Sequence, residues 1–72
     1  MTEQADQFAV GQVWRRKSDG LLVQIRNLKL FHGDVDIYWR GLGEQSKKSG
    51  AIWSFNLLRT YEFTGEIISQ NP

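Results

Sequence analysis

The chain reads as an all-β domain of four or five short strands, a small barrel or sandwich. Three observations predict this class. Apolar side chains recur at every second residue in several segments, while the helical spacing of three to four residues does not recur. Turn signals rich in Gly, Asp and Asn separate those segments at intervals of about 8–12 residues. Three Trp, four Phe and two Tyr give a 72-residue chain enough bulk to close a core without a staple.

Residues 1–7 are polar and read as a flexible acidic tail, with Glu3 and Asp6. Gln12 to Arg16 is the first strand, and Ser18-Asp19-Gly20 the tight turn that follows it. Trp14 and Val13 lie in opposite phase, so one of them should be partly exposed. Leu21 to Leu30 is a long second strand. Leu21, Val23 and Ile25 share one face, and Leu22, Gln24 and Arg26 the other. Past Asn27 the apolar positions become Leu28 and Leu30, a slip of one residue that predicts a bulge or bend near Asn27.

Phe31-His32-Gly33-Asp34 forms the second turn. Val35, Ile37 and Trp39 then alternate with Asp36, Tyr38 and Arg40 in the clearest strand of the chain. Residues 41–50 hold three Gly, two Ser and the pair Lys47-Lys48, a flexible basic loop longer than usual hairpin connections. Ala51, Trp53 and Phe55 alternate with Ile52 and Ser54 in a fourth strand. Residues 56–59 read as one helical turn with Asn56 as its cap, and residues 60–63 as a short fifth strand. Trp39 and Trp53 are expected at the centre of the core. Gly65 opens a C-terminal tail, from which Ile67 and Ile68 could dock back.

A strand, one helical turn and a short closing strand resemble the end of an SH3-like barrel, the architecture of Tudor and KOW-type modules. The opening is similar too: Val10-Gly11-Gln12-Val13-Trp14, then Asp19-Gly20, then a long curved strand. The resemblance spans residues 8–63, as in many small bacterial and phage proteins. It implies a five-stranded barrel with one helical turn before the last strand, with residues 64–72 left as a tail. It carries over no catalytic residue, because one fold hosts many functions.

The chemistry is narrow. No cysteine is present, which excludes disulfides and thiolate metal sites and suits a reducing compartment. His32, Asp34 and Asp36 supply too few ligands for a metal. One His without a nucleophile motif, and no phosphate-binding glycine pattern, argue against catalysis and against a cofactor. No apolar run is long enough to span a membrane, and the N-terminus lacks the features of a signal peptide, so a cytoplasmic location, bacterial or in an infected cell, is expected.

Charge is unevenly spread. All nine Lys and Arg lie between Arg15 and Arg59, against four acids in the same stretch, an excess of five within a chain of net charge +1. Solvated strand faces or an anionic partner would both produce this pattern. Aromatic and basic side chains make the candidate binding surface: Tyr38, Arg40, Arg26, Lys29, Lys47 and Lys48, with Trp14 as a further aromatic. Tyr38 either faces solvent there or packs on an opposite sheet. These groups suit stacking and phosphate binding, and equally a protein interface. The expected role is a non-enzymatic binding module, first for another protein, as in a phage or mobile-element modulator of a host protein. Nucleic-acid binding is the alternative, and a homo-oligomeric assembly protein, a homodimer through a sheet edge, is the third.

Overall fold

A computed structural model describes residues 8–68. The alternating segments become five antiparallel strands in one sheet: β1 (Gln12–Arg16), β2 (Leu22–Phe31), β3 (Asp34–Gly41), β4 (Ser49–Trp53) and β5 (Tyr61–Ile67). The order across the sheet is β4-β3-β2-β1-β5. A short helix, α1 (Ser54–Thr60), precedes β5, and a 3-10 turn (Gly43–Gln45) sits in the loop before β4. The fold class is therefore all-β, with one short helix before the last strand. Among the described residues, no helix is long and apolar enough to cross a membrane. The acidic segment 1–7 and residues 69–72 lie outside the described residues.

The expected slip in β2 is present. Ile25 pairs with Trp39 and Asn27 with Tyr38, so Arg26 is an extra residue on β2. This bulge reconciles the two apolar phases: Val23 and Ile25 face the core before it, Leu28 after it. The β2–β3 turn closes with His32 at φ 51 and Gly33 at φ 85, the left-handed pair that a two-residue hairpin turn requires.

The core holds Phe8, Trp14, Val23, Ile25, Val35, Ile37, Leu57 and Tyr61, with Trp39 half-buried against it. The expected exposure of either Val13 or Trp14 is not found, because both are buried. Trp14 faces inward with its partner Val23, between the rings of Phe8 and Phe63 at 5.7 and 5.3 Å. Its indole N–H donates to Gln12 Oε1 at 3.0 Å. Val13 lies on the opposite face with Gln24, and the end of β5 is fastened over that face. Thr64 Oγ1 donates to the Val13 carbonyl, and Gln24 Nε2 to the Ile68 carbonyl.

Residues 64–67 thus belong to the sheet rather than to a tail. Gln12 pairs with Ile67 and Trp14 with Phe63, so β5 carries two residues more than β1 over this stretch. Gly65, at φ 88, supplies the left-handed backbone that this bulge needs, and does not end the strand.

Two other boundaries move. Helix α1 begins at Ser54, two residues earlier than Asn56, and its cap position is Trp53, without a side-chain cap. Ser54 and Leu57, one turn apart on one helix face, are both fully buried. Burial of that face, rather than capping chemistry, sets where the helix starts. Trp53 is also not part of the core. Ile37 pairs with Ile52 and Trp39 with Gly50, so β4 turns Ile52 inward and Ala51 and Trp53 outward.

At the β1–β2 turn, Arg16 donates twice to the Asp19 carboxylate, at 3.0 and 2.7 Å, and Leu21 N–H donates to it at 3.1 Å. The Arg16 hydrogen bond, followed by that from Leu21, lowers the Asp19 pKa to about 2. A folded-state pKa below the unfolded value of 3.8 stabilises the fold above that value, and the contribution is lost as pH falls toward 2. Unfolding midpoints measured between pH 5 and 2 should therefore fall more steeply for the native chain than for Asp19→Asn. Equal acid limbs would show that the turn does not hold its carboxylate.

Candidate functional site: a basic and aromatic sheet face

The outward faces of β2, β3 and β4 form one surface, because directly paired residues share a face. Its rows follow from the register. Lys29, Asp36 and Trp53 form one row. Asn27, Tyr38 and Ala51 form the next, and Gln24, Arg40 and Ser49 the third, in which Gln24 is buried beneath the end of β5. Tyr38 is half-buried on this face and does not pack into an opposing sheet as part of the core.

An open groove of about 620 Å³ joins this surface to the half-buried Trp39 and its partner Gly50, which belong to the row that faces inward. Arg26, Arg40 and Lys47 provide its cations, and Tyr38 and Trp39 its aromatic walls. The small residues Ser46, Ser49, Gly50 and Ala51 complete it, and no carboxylate lines it. The bulge brings Arg26 to the groove, and the loop after β3 brings Lys47.

Local contacts shape each group. Arg40 Nε donates to the Ser46 carbonyl at 2.7 Å, which ties the guanidinium to the loop. Its terminal nitrogens keep no protein partner among the described residues, and a guanidinium fork suits two phosphate oxygens. Tyr38 hydrogen-bonds the Asp36 carboxylate, which raises the phenol pKa above its ordinary 10.0, so the hydroxyl stays protonated at any working pH. Lys29 Nζ stands 5.5 Å from the centre of the Tyr38 ring. The ammonium thus stands over the ring face, where the π system attracts a cation.

Ion pairing divides the cations. Arg15 pairs with Glu62 at 2.6 Å and Arg16 with Asp19 at 2.7 Å, both on β1. Arg26, Lys29, Arg40 and Lys47 have no carboxylate partner within ion-pair distance among the described residues. Lys17, Lys48 and Arg59 are likewise without an ion pair among the described residues, but these four gather on or beside the β2–β4 face.

Five of the seven residues singled out from the sequence therefore come together: Arg26, Lys29, Tyr38, Arg40 and Lys47. Lys48 does not join them. It lines a separate recess of about 330 Å³ with Asp19, Leu22 and Leu42. Trp14, 5% exposed, belongs to the core and not to a surface.

Trp53 was missed as a surface residue, and it stands in the Lys29–Asp36 row. Its ring packs 6.3 Å from that of Phe31, which is 57% exposed. A signal for this existed in the register: once Val35, Ile37 and Trp39 face inward, Ile52 is the β4 residue that matches them, and Trp53 cannot. Among the described residues, no group of three His, Asp or Glu stands close enough to hold a metal ion.

Comparison of the chain with protein-family models, with curated protein sequences and with solved structures returned no match.

Proposed function

We propose that this chain is a non-enzymatic binding module whose β2–β4 face takes nucleic acid, with phosphates on Arg26, Arg40 and Lys47. The observation that carries this reading is the groove itself: three unpaired cations beside Tyr38, with no carboxylate in the lining. Cations without internal partners attract a phosphate chain and release its counterions. The aromatic wall adds stacking, which tolerates any base. The bend in β2 and the helix before β5 support the SH3-like reading of the sheet. The cysteine-free sequence suits a role in the cytoplasm.

A protein partner is the second reading, as for a phage-encoded or mobile-element modulator. The contact between exposed Phe31 and Trp53 favours it, because aromatic side chains supply most interface hot spots.

Fluorescence anisotropy with labelled oligonucleotides, titrated with salt, tests the first reading. The logarithm of the affinity should fall linearly with the logarithm of salt, with a slope of about −2 to −3 for three phosphates. Arg40→Glu combined with Lys47→Glu should abolish binding. Absence of binding to DNA and RNA at low salt, or binding indifferent to salt and to both charge reversals, overturns it. A partner retained from lysate after nuclease treatment, and lost on Phe31→Ala, would point to the protein reading instead.

A further inference from the structure

Resting on that reading, we infer that the face selects single strands, seating two successive unstacked bases on Tyr38 and Trp53. The inference comes from where the register places the two rings. Tyr38 pairs with Ala51, and Trp53 pairs with Asp36, so the aromatics sit on adjacent strands of one face and one row apart. Rows on one face are separated by two residues, about 6.8 Å, and adjacent strands by about 4.8 Å. The two attachment points are therefore about 8 Å apart.

Stacked bases in a duplex rise only about 3.4 Å per step. Adjacent bases of a duplex are too close, and too fully engaged with each other, to reach both rings. An unstacked single strand can separate its bases enough to do so.

The surroundings of the rings suit that use. Ala51, opposite Tyr38 and two residues before Trp53 on the same face, adds only a methyl group beside the rings. The Asp36 carboxylate stands beside Tyr38 on the same face and keeps its phenol protonated, so the ring that meets a base is neutral. Phe31 braces the Trp53 indole from the hairpin side. The ammonium of Lys29 occupies the position over Tyr38 that a base would take. A stacking base displaces it, and the long side chain can follow the adjoining phosphate.

Charge completes the argument. The unpaired cations of the groove lie at the Arg40 end of the face, whereas Asp34 and Asp36 lie toward the hairpin. A single backbone can follow Arg26, Arg40 and Lys47.

The test uses the full chain, an eight-nucleotide single strand of mixed sequence and a hairpin duplex of matched sequence, at one low salt concentration. The single strand should bind at least tenfold more tightly. Tyr38→Ala and Trp53→Ala should each weaken single-strand binding by about tenfold, the effect of losing one stacked base, with the salt slope retained because the phosphate contacts remain. Tyr38→Phe and Trp53→Phe keep a ring and should retain most of the affinity. Tryptophan fluorescence should be quenched by the single strand in the native chain, and the quench should shrink in Trp53→Phe. This last measurement decides the matter if an alanine variant fails to fold by circular dichroism. Equal affinity for both oligonucleotides, indifferent to Tyr38 and Trp53 yet lost on Arg40→Glu, overturns strand selection and leaves the nucleic-acid reading standing. No binding of either oligonucleotide overturns both.

Discussion

Leu57→Ala is expected to lower the unfolding free energy by about 2–5 kcal/mol, the usual cost of emptying a closed leucine site. A 72-residue domain holds about 4–11 kcal/mol in total, so the loss is a large share of it. Leu57 is 0% exposed and sits in the core cluster with Val35, Ile37 and Tyr61. Helix α1 has seven residues, too few to stand alone in water. Its attachment to the sheet rests on Leu57 and Ser54, its only buried residues. Truncation should both open a cavity and loosen the helix that leads into β5. Urea unfolding followed by circular dichroism should show a lower midpoint with an unchanged denaturant slope. Leu58→Ala, at a neighbouring helical residue 41% exposed, should cost less than about 1 kcal/mol. Equal losses at the two positions would mean that the helix does not pack by the Leu57 face.

Period-two alternation was sufficient for the parts of this fold in which one face is apolar and the other polar. Strand β1 begins and ends at the residues the alternation marks, Gln12–Arg16. The bulge in β2 was legible because Leu28 and Leu30 break the phase of Val23 and Ile25. Alternation with Val35 and Ile37 put Tyr38 and Arg40 on the face opposite to theirs, but it left open whether Tyr38 met solvent or a second sheet, because a barrel strand can be covered on both sides.

Strand β4 failed that test. Ala51, Ile52 and Trp53 are all apolar, so local pattern could not say which face is inward, and a one-residue difference reverses every side chain. The register with β3 decides it, and that information is non-local. The same limit applies to the C-terminal segment. Gly65 and Thr64 look like the start of a tail, and only pairing with β1 turns them into a bulge inside β5. Trp14 misled for a related reason. A central strand can be covered on both faces, here by Phe8 and Phe63 on one and by the 64–68 stretch on the other. Lys47 and Lys48 were inseparable in sequence, but consecutive residues in a tight loop diverge, one to the groove and one to the recess beside Asp19.

That loop links the fold to the groove, and Gly41→Ala is expected to damage both. Gly41 is buried at the end of β3, where the chain turns back on itself. A Cβ there would lie 2.1 Å from the Gln45 carbonyl oxygen and 2.9 Å from the carbon that bears it. Both are backbone atoms, so no rotamer change can relieve the overlap, and the 3-10 turn itself must move. The turn has little freedom to do so. Gly41 N–H donates to the Lys48 carbonyl at 2.8 Å, Lys48 N–H to Gln45 at 2.9 Å, and Leu42 N–H to Leu22 of β2 at 3.1 Å. Overpacking of this kind costs about 1–3 kcal/mol, and more where the neighbour is fixed. The residue after Gln45 is Ser46, whose carbonyl holds Arg40 Nε. Displacing the turn should release Arg40 and swing Lys47 away from the groove. Gly41→Ala should therefore lower the urea midpoint and, in the fraction that remains folded, reduce the salt slope of oligonucleotide binding by about one phosphate. Ser46→Ala keeps the carbonyl and should change neither quantity. Native stability together with a native salt slope in Gly41→Ala would show that the turn is not pressed against β3, and that Arg40 owes its position to something other than this loop.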